Sequence, residues 1–300
     1  MQPFDYFITI DWSSRNKPSP AKPTRDAVWV AEVSAAGRMR TKYFRTREAC
    51  TAWLTRRLLR LQRRNYRVLV GWDFAFGYPK GLKKALKLKG KPPWLAVWRE
   101  LNRLILDEPN NGNNRFTVGA ELNRRISVGS GPFWGAPVGQ SGIFLGAKKD
   151  FKYPVVNKRT VLRERRLVER RVPKMQPAWK LAYAGSVGGQ TLLGLPRLFK
   201  LAKDHGTLAD YSRVWPFDTA FADDIPERGC VLHAEIYPSL VSYSKRDRIA
   251  DRAQVRAYAE WLRGEQEAGR LAAWLAGPRS LKRKHRKRVL RHEGWVLGVE

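Results

Sequence analysis

Apolar residues in this chain form short β-like runs towards both ends and looser, helix-spaced patterns in the middle. Phe4 to Trp12 (FDYFITIDW) is rich in β-branched and aromatic residues and breaks at Asp-Trp-Ser-Ser, which predicts a strand running into a loop. A polar stretch with several prolines, Lys17 to Thr24, follows. Ala27 to Val33 (AVWVAEV) and Arg38 to Phe44 (RMRTKYF) flank Ser-Ala-Ala-Gly and predict a hairpin. Over Thr46 to Asn65, Leu54, Leu58 and Leu61 recur on one helical face, with Arg56, Arg57, Arg60, Arg63 and Arg64 mostly on the other. Tyr66 to Phe74 (YRVLVGWDF) is a strand again, with Asp73 at its end.

The chain therefore opens β-β-β-α-β. An α/β mixed sheet that begins this way, with a right-handed return beside the first strand, is expected to be ribonuclease H-like. The middle predicts helical pieces at Lys80 to Gly90, Trp94 to Asp107, Phe116 to Ile126 and Ser186 to His205. Between them lie a turn at Asn110 to Asn114, a Gly- and Pro-rich loop at Gly129 to Gly142, and a basic run at Arg159 to Arg171 ended by Pro173. Strands resume at Ser212 to Phe217 and Cys230 to Tyr237. A long helix follows from about Asp251 to Gly269, with Val255, Tyr258, Ala259 and Leu262 as its apolar stripe. The expectation is one domain over 1–300, a mostly helical insertion at about 76–210, and a basic C-terminal segment at 279–300. No solenoid repeat is visible.

Charge changes this picture more than length does. Lys and Arg number 58 against 27 Asp and Glu, a formal net charge of +31, which attracts polyanions. Nucleic acid is the first expected partner, since neutralising phosphates releases counterions. An anionic membrane comes second on charge alone, but no apolar stretch is long enough to span a bilayer. Cys50 and Cys230 lie in no paired motif, which argues against a disulfide framework or a Cys-based zinc site. With no signal peptide visible, the expected location is cytoplasmic.

Three acids sit where apolar strands end or inside them: Asp11 after ITI, Asp73 after VLVGW, and Glu235 in HAEIYP. A carboxylate in such a place needs a partner, and two on neighbouring strands repel unless a cation lies between them. Mg²⁺ or Mn²⁺ suits oxygen ligands. Three converging carboxylates could hold two such ions about 4 Å apart for in-line phosphoryl displacement. Asp251, four residues before Val255, is a possible fourth ligand. Asp251-Arg-Ala-Gln254 reads equally as a helix cap, and Asp247 is a weaker substitute.

IDWSS, GWDFAFGYP, AEIYPSL and DRAQVRA together resemble the DUF429 group of ribonuclease H-like proteins, and PAWKLAYAGSVGGQTLLGLPRL and EGWVLG resemble a subset beginning D-W-S. The likeness runs over nearly the whole chain. It implies a nuclease-type activity with catalytic and metal-binding acids matched at Asp11, Asp73 and Glu235. The strong positive charge departs from an ordinary family enzyme and favours a nucleic-acid-binding role.

Other features are open to two readings. Gly185-Ser-Val-Gly-Gly-Gln190, flanked by Lys180 and Arg197, lacks the Gly-Lys-Ser/Thr ending of a P-loop; it is a tight turn feeding a helix, whose amides could still hold an anion. His205, His233, His285 and His292 show no metal-ligand spacing, and His233 shares a strand face with Glu235. Basic clusters at Arg56 to Arg67, Lys80 to Lys91, Lys158 to Arg171 and Lys282 to Arg291 are each a solvated face or part of one positive surface. Trp94, Trp98, Phe133 and Trp134 are core residues or base-stacking platforms. Three functions remain: a metal-dependent nuclease or related phosphoryl-transfer enzyme (a hydrolase), a non-catalytic RNA- or DNA-binding protein, and an enzyme of a small phosphorylated metabolite.

Overall fold

A computed structural model describes residues 2–127, 129–221 and 225–300. β1 (Tyr6–Asp11), β2 (Val28–Ser34), β3 (Met39–Phe44), α1 (Arg47–Gln62) and β4 (Val68–Trp72) open the chain in the expected β-β-β-α-β order, all but β2 a little shorter than the expected segment. β2 and β3 turn through Gly37, whose φ of 79° favours glycine. Thr46 caps α1 by accepting from the Ala49 amide at 3.2 Å.

The middle holds α2 (Leu82–Ala85), α3 (Pro93–Leu104), α4 (Arg115–Ser127), β5 (Val155–Asn157), β6 (Thr160–Leu162), α5 (Leu167–Arg171), α6 (Gly188–Phe199) and α7 (Gly206–Tyr211). β5 and β6 pair antiparallel in a small sheet of their own, so this region is less purely helical than expected. β7 (Ser212–Val214), β8 (Val231–Glu235), α8 (Ala250–Glu267), α9 (Leu271–Leu275) and α10 (Arg283–Arg288) complete the fold.

The main sheet is mixed, six-stranded and ordered β3-β2-β1-β4-β8-β7. β1 runs antiparallel to β2 and parallel to β4; β4 and β7 both run parallel to β8. β4 and β8 are buried at every position, as strands covered on both faces must be. β3 alternates half-buried and exposed residues and carries Arg40 and Lys42, a charged edge that resists further pairing. One face packs on α1 through Cys50, Leu54, Leu58 and Leu61, and on α6. The other packs on α8 through Val255, Tyr258, Ala259 and Leu262. The chain's last segment joins that second layer. Val296 bridges Glu235 in parallel, and the Leu297 amide donates to the Glu235 carbonyl at 2.9 Å. No described helix is long and apolar enough to cross a membrane.

Candidate functional site

The site starts from strand register. Ile10 pairs with Trp72, and the Asp73 amide donates to the Ile10 carbonyl at 2.9 Å, so Asp11 and Asp73 leave adjacent parallel strands together at their C-terminal ends. Ligand crevices of open α/β sheets form at such ends. Both side chains line a cleft of about 730 Å³, together with Glu235, Asp251 and Asp26.

Asp11 and Asp73 are half-buried, open to the cleft and enclosed by protein elsewhere. Among the described residues no donor reaches either carboxylate. Burial pushes Asp11 well above the usual carboxylate range, and Asp73, Asp251 and Asp26 push it further. Burial, then Glu235 and Asp251, raise Asp73 to about 7. These are carboxylates short of positive charge.

Asp251 stands in the first turn of α8, where Ile249 is the N-cap and makes no side-chain cap bond. One Asp251 oxygen accepts the Asp26 amide at 2.6 Å, tying the β1–β2 connection to α8, and burial raises its pKa. It therefore braces the cleft, and its carboxylate also accepts from its own backbone amide in the first turn of α8. Asp247 lies outside the cleft lining, paired with Arg252 at 2.7 Å.

Glu235 differs from the two aspartates in its partner. Strand alternation places it on the face of His233, whereas Asp11 shares the face of Thr9, whose hydroxyl donates to the Val255 carbonyl of α8 at 2.7 Å. Arg166 grips Glu235 with two bonds, Nη2 to Oε1 at 2.6 Å and Nη1 to Oε2 at 2.8 Å, and the Phe76 amide also donates to Oε2 at 2.8 Å. Arg166 is only 1% exposed. Its Nε donates to Glu169 at 2.6 Å and its Nη1 to the Glu293 carbonyl at 2.9 Å. One guanidinium thus bonds two buried acids, which offsets part of the cost of burying them, while burial still pushes the Glu169 pKa up.

This geometry bears on the expected Mg²⁺ or Mn²⁺. Asp11 and Asp73 offer hard oxygens that no donor reaches among the described residues, and Asp251 adds an oxygen not bonded to Asp26, which fits one divalent ion. Glu235 is already occupied by Arg166. Among the described residues, no three His, Cys, Asp or Glu side chains form a group that could hold a metal ion. The four expected acids share one cleft, but they do not converge as equivalent ligands.

The walls carry groups that the sequence did not single out. Arg115, 8% exposed, donates to Asn16 and to Asn113, and its Nε has no partner. Burial, then the neighbouring Arg47, bring its pKa down to about 10. Tyr183 is 62% exposed on the cleft wall, with its hydroxyl donating to the Ala136 carbonyl at 2.6 Å. The Gly185 to Gln190 turn lines the cleft and leads into α6. A Cβ on Gly188 would lie 2.6 Å from the Ala178 carbonyl oxygen, so glycine here allows close backbone approach. Lys180 is held by the Ala184 carbonyl at 2.7 Å. Arg197 is tied to Asp107 and Glu48, away from the cleft.

Trp94, Trp98 and Phe133 are core residues. Trp94 stacks on Phe217 with ring centroids 4.6 Å apart, and the Trp98 indole donates to the Phe76 carbonyl at 2.8 Å. Trp134 is half-buried against Lys180. His233 is a satisfied core histidine between Trp72 and Ser212, and burial lowers its pKa to about 3. Most of the charged residues in the basic clusters are exposed or half-buried, but Arg67 and Arg166 are buried, as are Leu58, Leu61, Leu82 and Leu86 between the charges.

Compared with known proteins, the chain matches no family model, no curated protein and no solved structure.

Proposed function

We propose that this chain is a divalent-metal-dependent nuclease with a ribonuclease H-like core, related to the DUF429 group and working in the cytoplasm. The observation that carries the reading is the pair Asp11 and Asp73. They stand side by side at the ends of parallel strands, in a cleft of about 730 Å³, with no donor on either carboxylate among the described residues. The strand order β3-β2-β1-β4-β8, with only the first three strands antiparallel, supports the fold assignment.

In this reading Asp11 and Asp73 hold the ion, and Asp251 contributes the oxygen not used by Asp26. A bound divalent ion would supply a lowered pKa for attacking water and charge stabilisation at the leaving oxygen. Arg166 fixes Glu235, and Glu235 in turn holds the Phe76 amide, so the strand end behind Asp73 stays in place.

The test is cleavage of single- and double-stranded DNA and RNA in Mn²⁺, in Mg²⁺ and in EDTA, by wild type and Asp73→Asn side by side. Wild type should cleave only with metal, and Asp73→Asn should lose cleavage, because a neutral amide is a poor ligand for a hard cation. Equal activity in both proteins would refute the carboxylate mechanism. One observation favours a second reading, a nucleic-acid binder that does not cleave: Arg166 already occupies Glu235 and leaves fewer ligands for metal. Tight binding without cleavage by wild type would select it.

A further inference from the structure

Arg115 is a buried cation on the cleft lining that forms no salt bridge among the described residues, although Asp107 acts on it through space. Its side-chain acceptors, Asn16 and Asn113, are neutral, and its Nε meets none. By contrast, buried Arg47 sits on Asp107 at 2.5 Å, and Arg166 on Glu235 and Glu169. A buried guanidinium with an unmet donor and no bonded acid is costly, and an incoming anion would reduce that cost.

A second set of donors lies close by. The Gly189 and Gln190 amides, in the first turn of α6, have no acceptor among the described residues, and Gln190 lines the cleft. Helix N-termini of this kind hold phosphate through free N–H groups and the helix dipole. Ser14 packs against Gly189, where a Cβ would lie 3.2 Å from its hydroxyl oxygen, while Asn16 bonds Arg115. Two residue steps reach at most about 7 Å, so the two donor sets flank one short piece of chain.

Tyr183 adds an exposed aromatic face to the same cleft, pinned through its hydroxyl to Ala136. A volume of about 730 Å³ suits one or two nucleotides and not a duplex with its bases stacked.

We propose that Arg115 and the first turn of α6 form a phosphate subsite beside the carboxylates, and that Tyr183 stacks a base of the same strand, so that the cleft takes an unpaired nucleotide strand. The proposal rests on the nucleic-acid substrate of the nuclease reading but not on its metal chemistry.

The experiment is run in EDTA with the full chain and a labelled pentanucleotide carrying a central 2-aminopurine. Anisotropy reads affinity and 2-aminopurine emission reads stacking. Wild type should bind this strand more tightly than a duplex of equal length and quench the emission. Tyr183→Leu should relieve the quenching and weaken binding on the order of tenfold. Arg115→Gln should weaken it about tenfold or more. Lys287→Gln, which removes one exposed charge from α10, should cost about twofold or less. Equal binding of strand and duplex, unchanged quenching in Tyr183→Leu, or a loss in Arg115→Gln no larger than in Lys287→Gln would overturn the subsite. If Arg115→Gln does not fold, Tyr183→Leu and the strand-to-duplex comparison decide. The binding pattern without Mn²⁺-dependent cleavage would leave the subsite standing and remove the nuclease. Cleavage that needs Asp73 but ignores Tyr183 and Arg115 would do the reverse.

Discussion

Replacing Asp73 with Asn should make the metal-free protein more stable at neutral and alkaline pH, and hardly change it in acid. The Asp73 carboxyl is raised from its ordinary value of 3.8 to about 7, first by burial and then by Glu235 and Asp251. Between those two pH values the folded chain keeps a proton that the unfolded chain has lost. Stability therefore falls as pH rises from about 4 to 7, where the unfolded state binds fewer protons than the folded one. At ~1.4 kcal/mol per pH unit the full effect is about 4 kcal/mol. Asp73 titrates together with Asp11 and opens onto the cleft, so about 2 kcal/mol is the fairer expectation. Asn has the shape of the protonated acid without its charge, so Asp73→Asn should gain about 2 kcal/mol above pH 7.5 and near zero at pH 4. That corresponds to a Tm rise of about 4 °C at this chain length. Thermal unfolding of both proteins in EDTA across this range checks it, and adding Mg²⁺ should stabilise wild type alone. A difference independent of pH, or a variant less stable than wild type at pH 8, would refute the like-charge account of the cleft floor.

Arg166→Met should cost about 3–5 kcal/mol in urea unfolding, because it strands Glu235 and Glu169 as buried charges, and adding Glu235→Gln should recover part of it; a loss under about 1 kcal/mol would contradict the pairing. Gly77→Ala should cost about 1–3 kcal/mol, since its Cβ would lie 2.8 Å from the Glu293 carbonyl carbon and closer still to the His292 carbonyl oxygen; an unchanged Tm would show that this approach is loose. Affinity for a long duplex should fall steeply and log-linearly with salt, and a flat response between low and physiological salt would remove the electrostatic case for a nucleic-acid partner.

The first four strands and the positions of Asp11 and Asp73 were legible because each rests on a local signal: a run of apolar β-formers followed by an acid and a loop. Arg166 was not legible. It lies in the basic run Arg159 to Arg171 and looks like its neighbours, which solvate a face. Its burial depends on Glu235 and Glu293, far along the chain, and no window on the sequence contains those contacts. Arg115 shows the same difficulty in reverse, since only the tertiary structure reveals that it is buried without a salt bridge among the described residues. β5 and β6 are three residues each, too short for alternation to register. The aromatic residues left two readings open, and the core reading holds for Trp94, Trp98 and Phe133. Trp94 and Trp98 lie in a Lys-rich, Pro-broken stretch that looks like surface, yet their helix packs them inwards on Phe217.

The buried charge network also has an order in time. Translation supplies Arg166 and Glu169 first, then Glu235, and only roughly sixty residues later the segment around Glu293 and Val296 that closes over them. At typical synthesis rates this interval lasts about 3 to 12 seconds. Until then the Arg166 guanidinium lacks the Glu293 carbonyl, Leu167 lacks the Glu293 side chain that accepts from its amide, and β8 lacks its bridge to Val296. The floor of the cleft would thus gain its backing last. A nascent chain would carry Asp11 and Asp73 well before it could hold them in working order.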